Sequence, residues 1–99
     1  MPRHAARVDA NQTEIVAALR GAGATVTPTH TAGVGFPDLC VGYKGATYLV
    51  EVKDGSKPPS ARKLTPHQVA WHRDWRGHVA VVTDITEALA VIGVVYAEK

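Results

Sequence analysis

The sequence predicts an α/β fold: a mixed central sheet flanked by helices. Two observations carry this prediction. Helix-like and strand-like segments follow one another in the order helix, three strands, helix, strand, helix. In addition, a helix separates the last two strands, and a right-handed crossover of this kind makes the two strands it joins parallel.

The first helix is predicted to begin after a loose arm formed by residues 1–8. Asn11 is a typical N-cap residue, and Glu14 three residues later matches a capping box. Gly21 and Gly23 are expected to end the helix. Apolar residues recur at the spacing of one helix face: Ile15, Ala18, Leu19 and Ala22.

Three strands follow, at 24–28, 38–43 and 46–53, separated by a glycine-containing loop and a short turn. Lys44-Gly45 is a plausible two-residue hairpin turn, although it is a weaker signal than Asn-Gly. The segment 54–63 is polar and contains prolines, which favours a loop.

The second helix opens at Thr65, with Pro66 at its first position and Gln68 as the capping-box partner. Residues 78–83 then predict a buried strand. Asp84 or Thr86 would cap a last helix that runs through Ile92, and residues 94–96 could add an edge strand. One face of the second helix is predicted to carry Gln68, Trp71, His72 and Trp75.

Composition limits the classes of function. The 99 residues suit one domain, 1–99, with 45% hydrophobic and 20% charged residues. We expect no membrane span, because no apolar run approaches roughly 20 residues. A single cysteine, Cys40, fits a reducing, cytoplasmic compartment. The net charge of +2 means that any nucleic-acid surface must concentrate its cations locally.

The hairpin brings three charged residues together. With Lys44-Gly45 as the turn, facing positions sum to 89, so Asp38 lies opposite Glu51. Lys53, two residues further, projects from the same side. Opposed carboxylates repel each other, and a divalent cation such as Mg²⁺ would relieve that repulsion. The other side is expected to form the core: Leu39, Val41, Tyr48, Val50 and Val52.

Each of these charged residues, taken singly, is more often a solvated strand residue. Together with the preceding Gly35-Phe36-Pro37, they resemble the PD-(D/E)XK nuclease signature: Pro37-Asp38, then Glu51-Val52-Lys53. A fuller pattern resembles the VRR-NUC branch of that superfamily. It consists of Glu14, Gly35-Phe36-Pro37-Asp38-Leu39, Glu51-Val52-Lys53 and Leu64-Thr65-Pro66-His67-Gln68, and it spans about residues 11–82.

The resemblance implies a restriction-endonuclease-like αβββαβ core and hydrolysis of DNA phosphodiester bonds with Mg²⁺ or Mn²⁺. It makes Asp38, Glu51 and the carbonyl of Val52 metal ligands, and Lys53 the catalytic lysine. Small free-standing members of the branch, many of them viral, resemble dimeric Holliday-junction resolvases. A homodimer acting on branched DNA, in a bacterium or a phage-infected cell, is therefore expected.

Two residues have two interpretations each. Glu14 matches the helix-one carboxylate of the family, which contacts the metal, but it could serve only as the capping partner of Asn11. Gln68 matches the family's helix-two glutamine, but it could serve only as the capping partner of Thr65. The sequence leaves both alternatives open.

DNA contacts are predicted from the loop after Lys53 and from outlying cations: Lys57, Arg62, Lys63, Lys44, and Arg7 or Arg3. A solvated loop is the alternative, and singly the commoner one. Trp71 and Trp75 are more often core residues than base-stacking platforms. Competing functions are a nicking or restriction-type endonuclease, a phage replication or packaging module, and a non-catalytic DNA-binding module on a degenerate nuclease scaffold.

Overall fold

The structure, a computed structural model, describes residues 9–95 of the chain. Its helices and strands are α1 (Gln12–Gly21), β1 (Thr25–Pro28), β2 (Leu39–Tyr43), β3 (Ala46–Val52), α2 (Pro66–Asp74), β4 (Val79–Val82) and α3 (Ile85–Val91). Two short 3-10 turns, His30–Ala32 and Pro59–Arg62, form within segments predicted as loops. Such turns satisfy backbone groups locally without a longer helix.

The predicted arm 1–8 and Tyr96 of the predicted edge strand lie outside the described residues. Val94 and Val95 have no regular structure, so this part of the predicted strand is wrong. No helix within the described range is both long and apolar enough to cross a membrane.

The four strands form one mixed sheet in the order β1-β2-β3-β4. The first two pairs are antiparallel, while β3 and β4, joined through α2, are parallel. The α/β class and the parallel crossover pair predicted from the sequence are thus confirmed. The carboxyl end of β3 consequently lies beside that of β4, and the first turn of α2 lies near this edge of the sheet, where Gln68 contacts Lys53.

The β2–β3 hairpin has the predicted register: Tyr43 faces Ala46, and Leu39 faces Val50. Lys44 and Gly45 both have positive φ, 49° and 83°, as the favoured two-residue hairpin turn requires. This register places the residue before β2 beside the last residues of β3.

The apolar core lies on one side of the sheet, under α1 and α3. It contains Ile15, Leu19, Ala24, Val26, Leu39, Val41, Val50, Val52, Val82, Ala88, Leu89 and Ile92. The predicted apolar sides of α1 and of the hairpin are therefore confirmed, with Tyr48 half-buried at the margin.

The helix starts differ in one respect from the prediction. Asn11 makes no side-chain cap for α1, so its predicted capping box with Glu14 is wrong. Its Nδ2 instead donates to the carbonyl oxygens of Lys53 at 3.1 Å and Thr83 at 3.0 Å. Lys53 and Thr83 directly follow β3 and β4, and the Thr83 carbonyl also accepts a hydrogen bond of 3.3 Å from the backbone N–H of Gly55. The capping box of Thr65 is confirmed, and α3 is capped by Asp84.

Candidate active site

Asp38 stands directly before β2, after the buried Pro37. Its Oδ2 accepts a hydrogen bond of 2.8 Å from the backbone N–H of Val52. This bond extends the β2–β3 pairing beyond Leu39 and Val50, and a side-chain oxygen takes the place of a backbone carbonyl as the acceptor. The Asp38 carboxyl group is thereby fixed against the end of β3, next to Glu51.

Glu51 is almost fully buried, with 1% of its surface exposed. Its Oε2 accepts a hydrogen bond of 2.7 Å from Gln68 Nε2 and lies 3.8 Å from Lys53 Nζ. Within the part of the chain that the structure describes, its Oε1 is buried and has no hydrogen-bond donor. A buried carboxylate oxygen without a donor is costly, so this position favours a proton or a cation.

The surroundings of Glu51 raise the pKa of its carboxyl group. Burial raises the pKa of Glu51 to about 8; the negative charge of the neighbouring Asp38 adds to the rise, the charge of Lys53 opposes it, and Asp9 raises it slightly. In the absence of a cation, Glu51 therefore holds a proton at neutral pH.

Lys53 extends from the end of β3 and is 12% exposed at its side chain. Its Nζ donates a hydrogen bond of 2.9 Å to Gln68 Oε1. The same oxygen accepts from the backbone N–H of Thr65 at 2.8 Å. The two interpretations of Gln68 are thus compatible, because one side chain closes the capping box and bridges Glu51 to Lys53.

The structure adds two residues that the sequence reasoning missed. The first is Asp9, whose negative charge slightly raises the pKa of Glu51. Glu14, the predicted carboxylate of α1, is exposed in the first turn of that helix. Asn11 draws the start of α1 to the end of β3, which accounts for the approach of Asp9. Because Asn11 resembles a helix cap, no local pattern indicated this contact.

His72 is the second such residue. It lies one turn after Gln68 on α2, and burial together with the charge of Lys53 lowers its pKa. Its Nε2 is buried without a partner among the described residues. The i+4 spacing from Gln68 was the available signal, and it placed both residues on one predicted helix side.

The predicted DNA-binding cations do not all lie near this site. Lys57 and Lys63 are exposed and Arg62 is half-buried, in the segment that joins β3 to α2. Lys44 lies at the hairpin turn, the length of β2 away, about 17 Å for five residues. Arg7 and Arg3 fall outside the described residues.

The donor set suits a hard divalent cation. Within residues 9–95, no cluster of three or more His, Cys, Asp or Glu side chains has metal-binding geometry. Mg²⁺ needs no such cluster, because one or two carboxylates plus water and substrate oxygens usually hold it. Asp38, the donorless Oε1 of Glu51 and the nearby Val52 carbonyl offer oxygen ligands only, so these residues fit that ion.

Comparison with known proteins gives a family likeness. No family model matches the sequence, and no curated protein matches it significantly. A solved structure described as "VRR_NUC domain" is 28% identical to this chain, with a TM-score of 0.61. The alignment covers 86% of this chain and 92% of that one. The resemblance predicted from the sequence is therefore confirmed: this chain is a structural match to a VRR_NUC domain, and that similarity implies a nuclease of the PD-(D/E)XK type.

Proposed function

We propose that the chain is a Mg²⁺-dependent endonuclease that hydrolyses DNA phosphodiester bonds at Asp38, Glu51 and Lys53. One observation carries the proposal: the buried Glu51 lies beside the half-buried Asp38, its Oε1 has no donor among residues 9–95, and its pKa is raised to about 8. Such a pair is unfavourable in an inert strand, and a divalent cation relieves it.

Asp38, Glu51 and the Val52 carbonyl would hold the metal, with Asp9 and Glu14 as further candidate carboxylates. When bound, Mg²⁺ would polarise the phosphate group and lower the pKa of a coordinated water. Binding requires Glu51 to lose its proton, so the metal affinity should rise with pH up to the pKa of this group.

Lys53 supplies the positive charge next to the reacting phosphate. Its ammonium group can donate to a phosphate oxygen and stabilise the negative charge that develops there as water attacks in line. Gln68 orients the lysine by accepting a hydrogen bond from its ammonium group, and the same amide holds Glu51 through a hydrogen bond from Nε2. Gln68 therefore acts as a positioning residue that ties both charged groups to the first turn of α2.

The charge distribution supports a DNA substrate on this side of the molecule. Segment 53–78 contains six of the eleven Lys and Arg residues but two of the nine Asp and Glu residues, a net charge of +4. The rest of the chain is net negative. Lys57, Arg62 and Lys63 lie in this segment and are proposed phosphate contacts; Lys44 and Arg7 are proposed as outer contacts.

Within this function, we favour cleavage of branched DNA by a homodimer, as in the Holliday-junction-resolvase-like members of the branch. A nicking or restriction-type endonuclease, or a phage replication module, uses the same chemistry. Symmetrical cutting of a synthetic four-way junction, compared with flap and linear duplex, separates these substrates. The sedimentation coefficient of the active protein tests whether it is a dimer.

The chemistry is tested with Lys53→Ala and Asp38→Asn. We expect each substitution to lower Mg²⁺-dependent cutting about 100-fold or more, while DNA binding in EDTA persists. Arg20→Gln is the matched control, because it removes one positive charge from the far end of α1. Cutting by either site variant at the wild-type rate, or cutting by the wild type in EDTA, would contradict the assignment as a metal-dependent nuclease. Binding without any cutting by the wild type would favour the degenerate DNA-binding scaffold.

A further inference from the structure

A groove of about 300 Å³ lies between α2 and the loop that leads to β2. Its walls are Val34, His67, Ala70, Trp71, Asp74 and Trp75. The two segments that form its walls also carry residues of the candidate active site, since the loop runs on to Asp38 and α2 carries Gln68. The proposed chemistry uses none of the residues that line the groove.

Two parallel indole rings form one wall. The rings of Trp71 and Trp75 stack at 4.7 Å between centroids with an interplanar angle of 19°. Phe36 supports Trp71 edge-on at 5.3 Å and 73°. Trp75 nevertheless remains 40% exposed. Its stacked partner and its hydrogen bond to the His78 carbonyl, 3.1 Å, hold the ring in place with part of its surface in water.

The opposite wall presents an apolar side chain to solvent. Val34 has φ of 54° and is 78% exposed. Positive φ is unfavourable for a β-branched residue, and such strain is typical of functional segments. The next residue explains how the strain persists: Gly35 packs so closely on α2 that a Cβ there would clash with the His67 carbonyl.

The surrounding charge indicates what the groove binds. Five of its six lining residues belong to the net-positive segment 53–78, and its acidic residue, Asp74, accepts hydrogen bonds of 2.9 and 3.2 Å from Arg73. Trp75 follows Gln68 by seven residues, which corresponds to about 10 Å along the helix. A single strand covers this distance with up to three stacked nucleotides. A flat apolar ligand attached to phosphates fits these features better than an apolar peptide does.

We propose that the groove binds an unpaired nucleobase of the DNA substrate, stacked on Trp75 and bordered by Val34, within three nucleotides of the cleaved phosphate. This inference rests on the proposed function for its choice of DNA. It adds a recognition element for single-stranded or branched regions, because a base within a duplex cannot enter the groove. Stacking of this kind tolerates any base sequence.

Fluorescence tests the site directly, because both tryptophans of the chain lie in it. The protein is titrated in EDTA with a short single-stranded oligothymidylate, and separately with an abasic oligomer of equal length and charge. We expect saturable quenching by the first and at least fivefold weaker binding of the second. Equal binding of both oligomers would show that only phosphates are recognised and would overturn the proposal.

Variants locate the contact. Trp75→Ala should weaken oligothymidylate binding about tenfold, measured by anisotropy of a labelled strand, and Trp75→Phe should restore most of it. Val34→Asn should also weaken binding yet raise the melting temperature, since asparagine tolerates positive φ better than valine. Val69→Ala, which truncates another exposed valine of α2, is the control expected to leave binding unchanged.

The remaining outcomes are decisive. If the wild type cuts duplex DNA with Mg²⁺ but Trp75→Ala binds oligothymidylate normally, the stacking site is wrong and the nuclease assignment stands. If oligothymidylate binds through Trp75 but no DNA is cut, the nuclease assignment fails instead. If Trp75→Ala converts a dimer into monomers and leaves DNA binding intact, the groove is an interface between two copies of the chain, and the proposal is wrong.

Discussion

The two sides of the sheet are built on different physical principles. On the side of α1 and α3, twelve buried apolar residues form a continuous core. On the side of α2, an acid, Glu51, is almost fully buried, and α2 itself has no buried residue. One side is stabilised by the removal of apolar surface from water, and the other by a few directional hydrogen bonds.

This contrast explains why the proposed active site lies on the α2 side. Apolar packing is non-directional and stabilises the chain without constraining chemistry. A buried carboxyl group is costly unless it is paired, and one hydrogen bond from Gln68 together with the positive charge of Lys53 at 3.8 Å offsets that cost in part. The stability of the core supports a polar site that is not optimally stable by itself.

The largest predicted effect on stability comes from the core side. Leu19→Ala, at a residue that is 1% exposed, should lower the free energy of unfolding by about 3 kcal/mol. Chemical denaturation followed by circular dichroism measures this change. Cutting per folded molecule should remain at the wild-type level. A loss of cutting in the folded variant would contradict the division of labour between the two sides.

The next effect comes from Glu51 and depends on pH. Because the folded pKa of Glu51 is about 8, above its usual 4.5, the folded state retains a proton that the unfolded state loses. In EDTA, this group should therefore stabilise the fold at acid pH, and its contribution should fall as pH rises through about 8.

Comparison with Glu51→Gln isolates this contribution. In EDTA at pH 9, the variant should be more stable than the wild type, by on the order of 2 kcal/mol, and the difference should shrink towards pH 5. Mg²⁺ should stabilise the wild type at pH 9 but not the variant. Thermal melts at several pH values measure both effects. A difference that does not change with pH would show that Glu51 does not titrate as described.

The smallest effect separates the two roles of Gln68. Thr65→Ala and Gln68→Ala both disrupt the capping box and should each cost about 1 kcal/mol of stability. Only Gln68→Ala also loses the bonds to Glu51 and Lys53, so its cutting should fall about tenfold further than that of Thr65→Ala. Equal cutting by the two variants would reduce Gln68 to a helix cap.

The sequence predicted the elements that local rules control. Alternating apolar residues and the Lys44-Gly45 turn determine the hairpin register, because a one-residue slip would move every core side chain to the wrong side. The Thr65-Pro66-His67-Gln68 pattern likewise predicted the start of α2. The approach of Asp38 to Glu51 followed from the register alone.

Contacts between distant segments were decided only by the tertiary structure. Asn11 was predicted as a helix cap but binds carbonyls 42 and 72 residues away, and this contact brings Asp9 towards Glu51. The double role of Gln68 and the exposure of Trp75 also depend on how α2 lies across the sheet. Sequence periodicity specifies which side of an element is apolar, but the partners of a polar side chain depend on where the other elements pack.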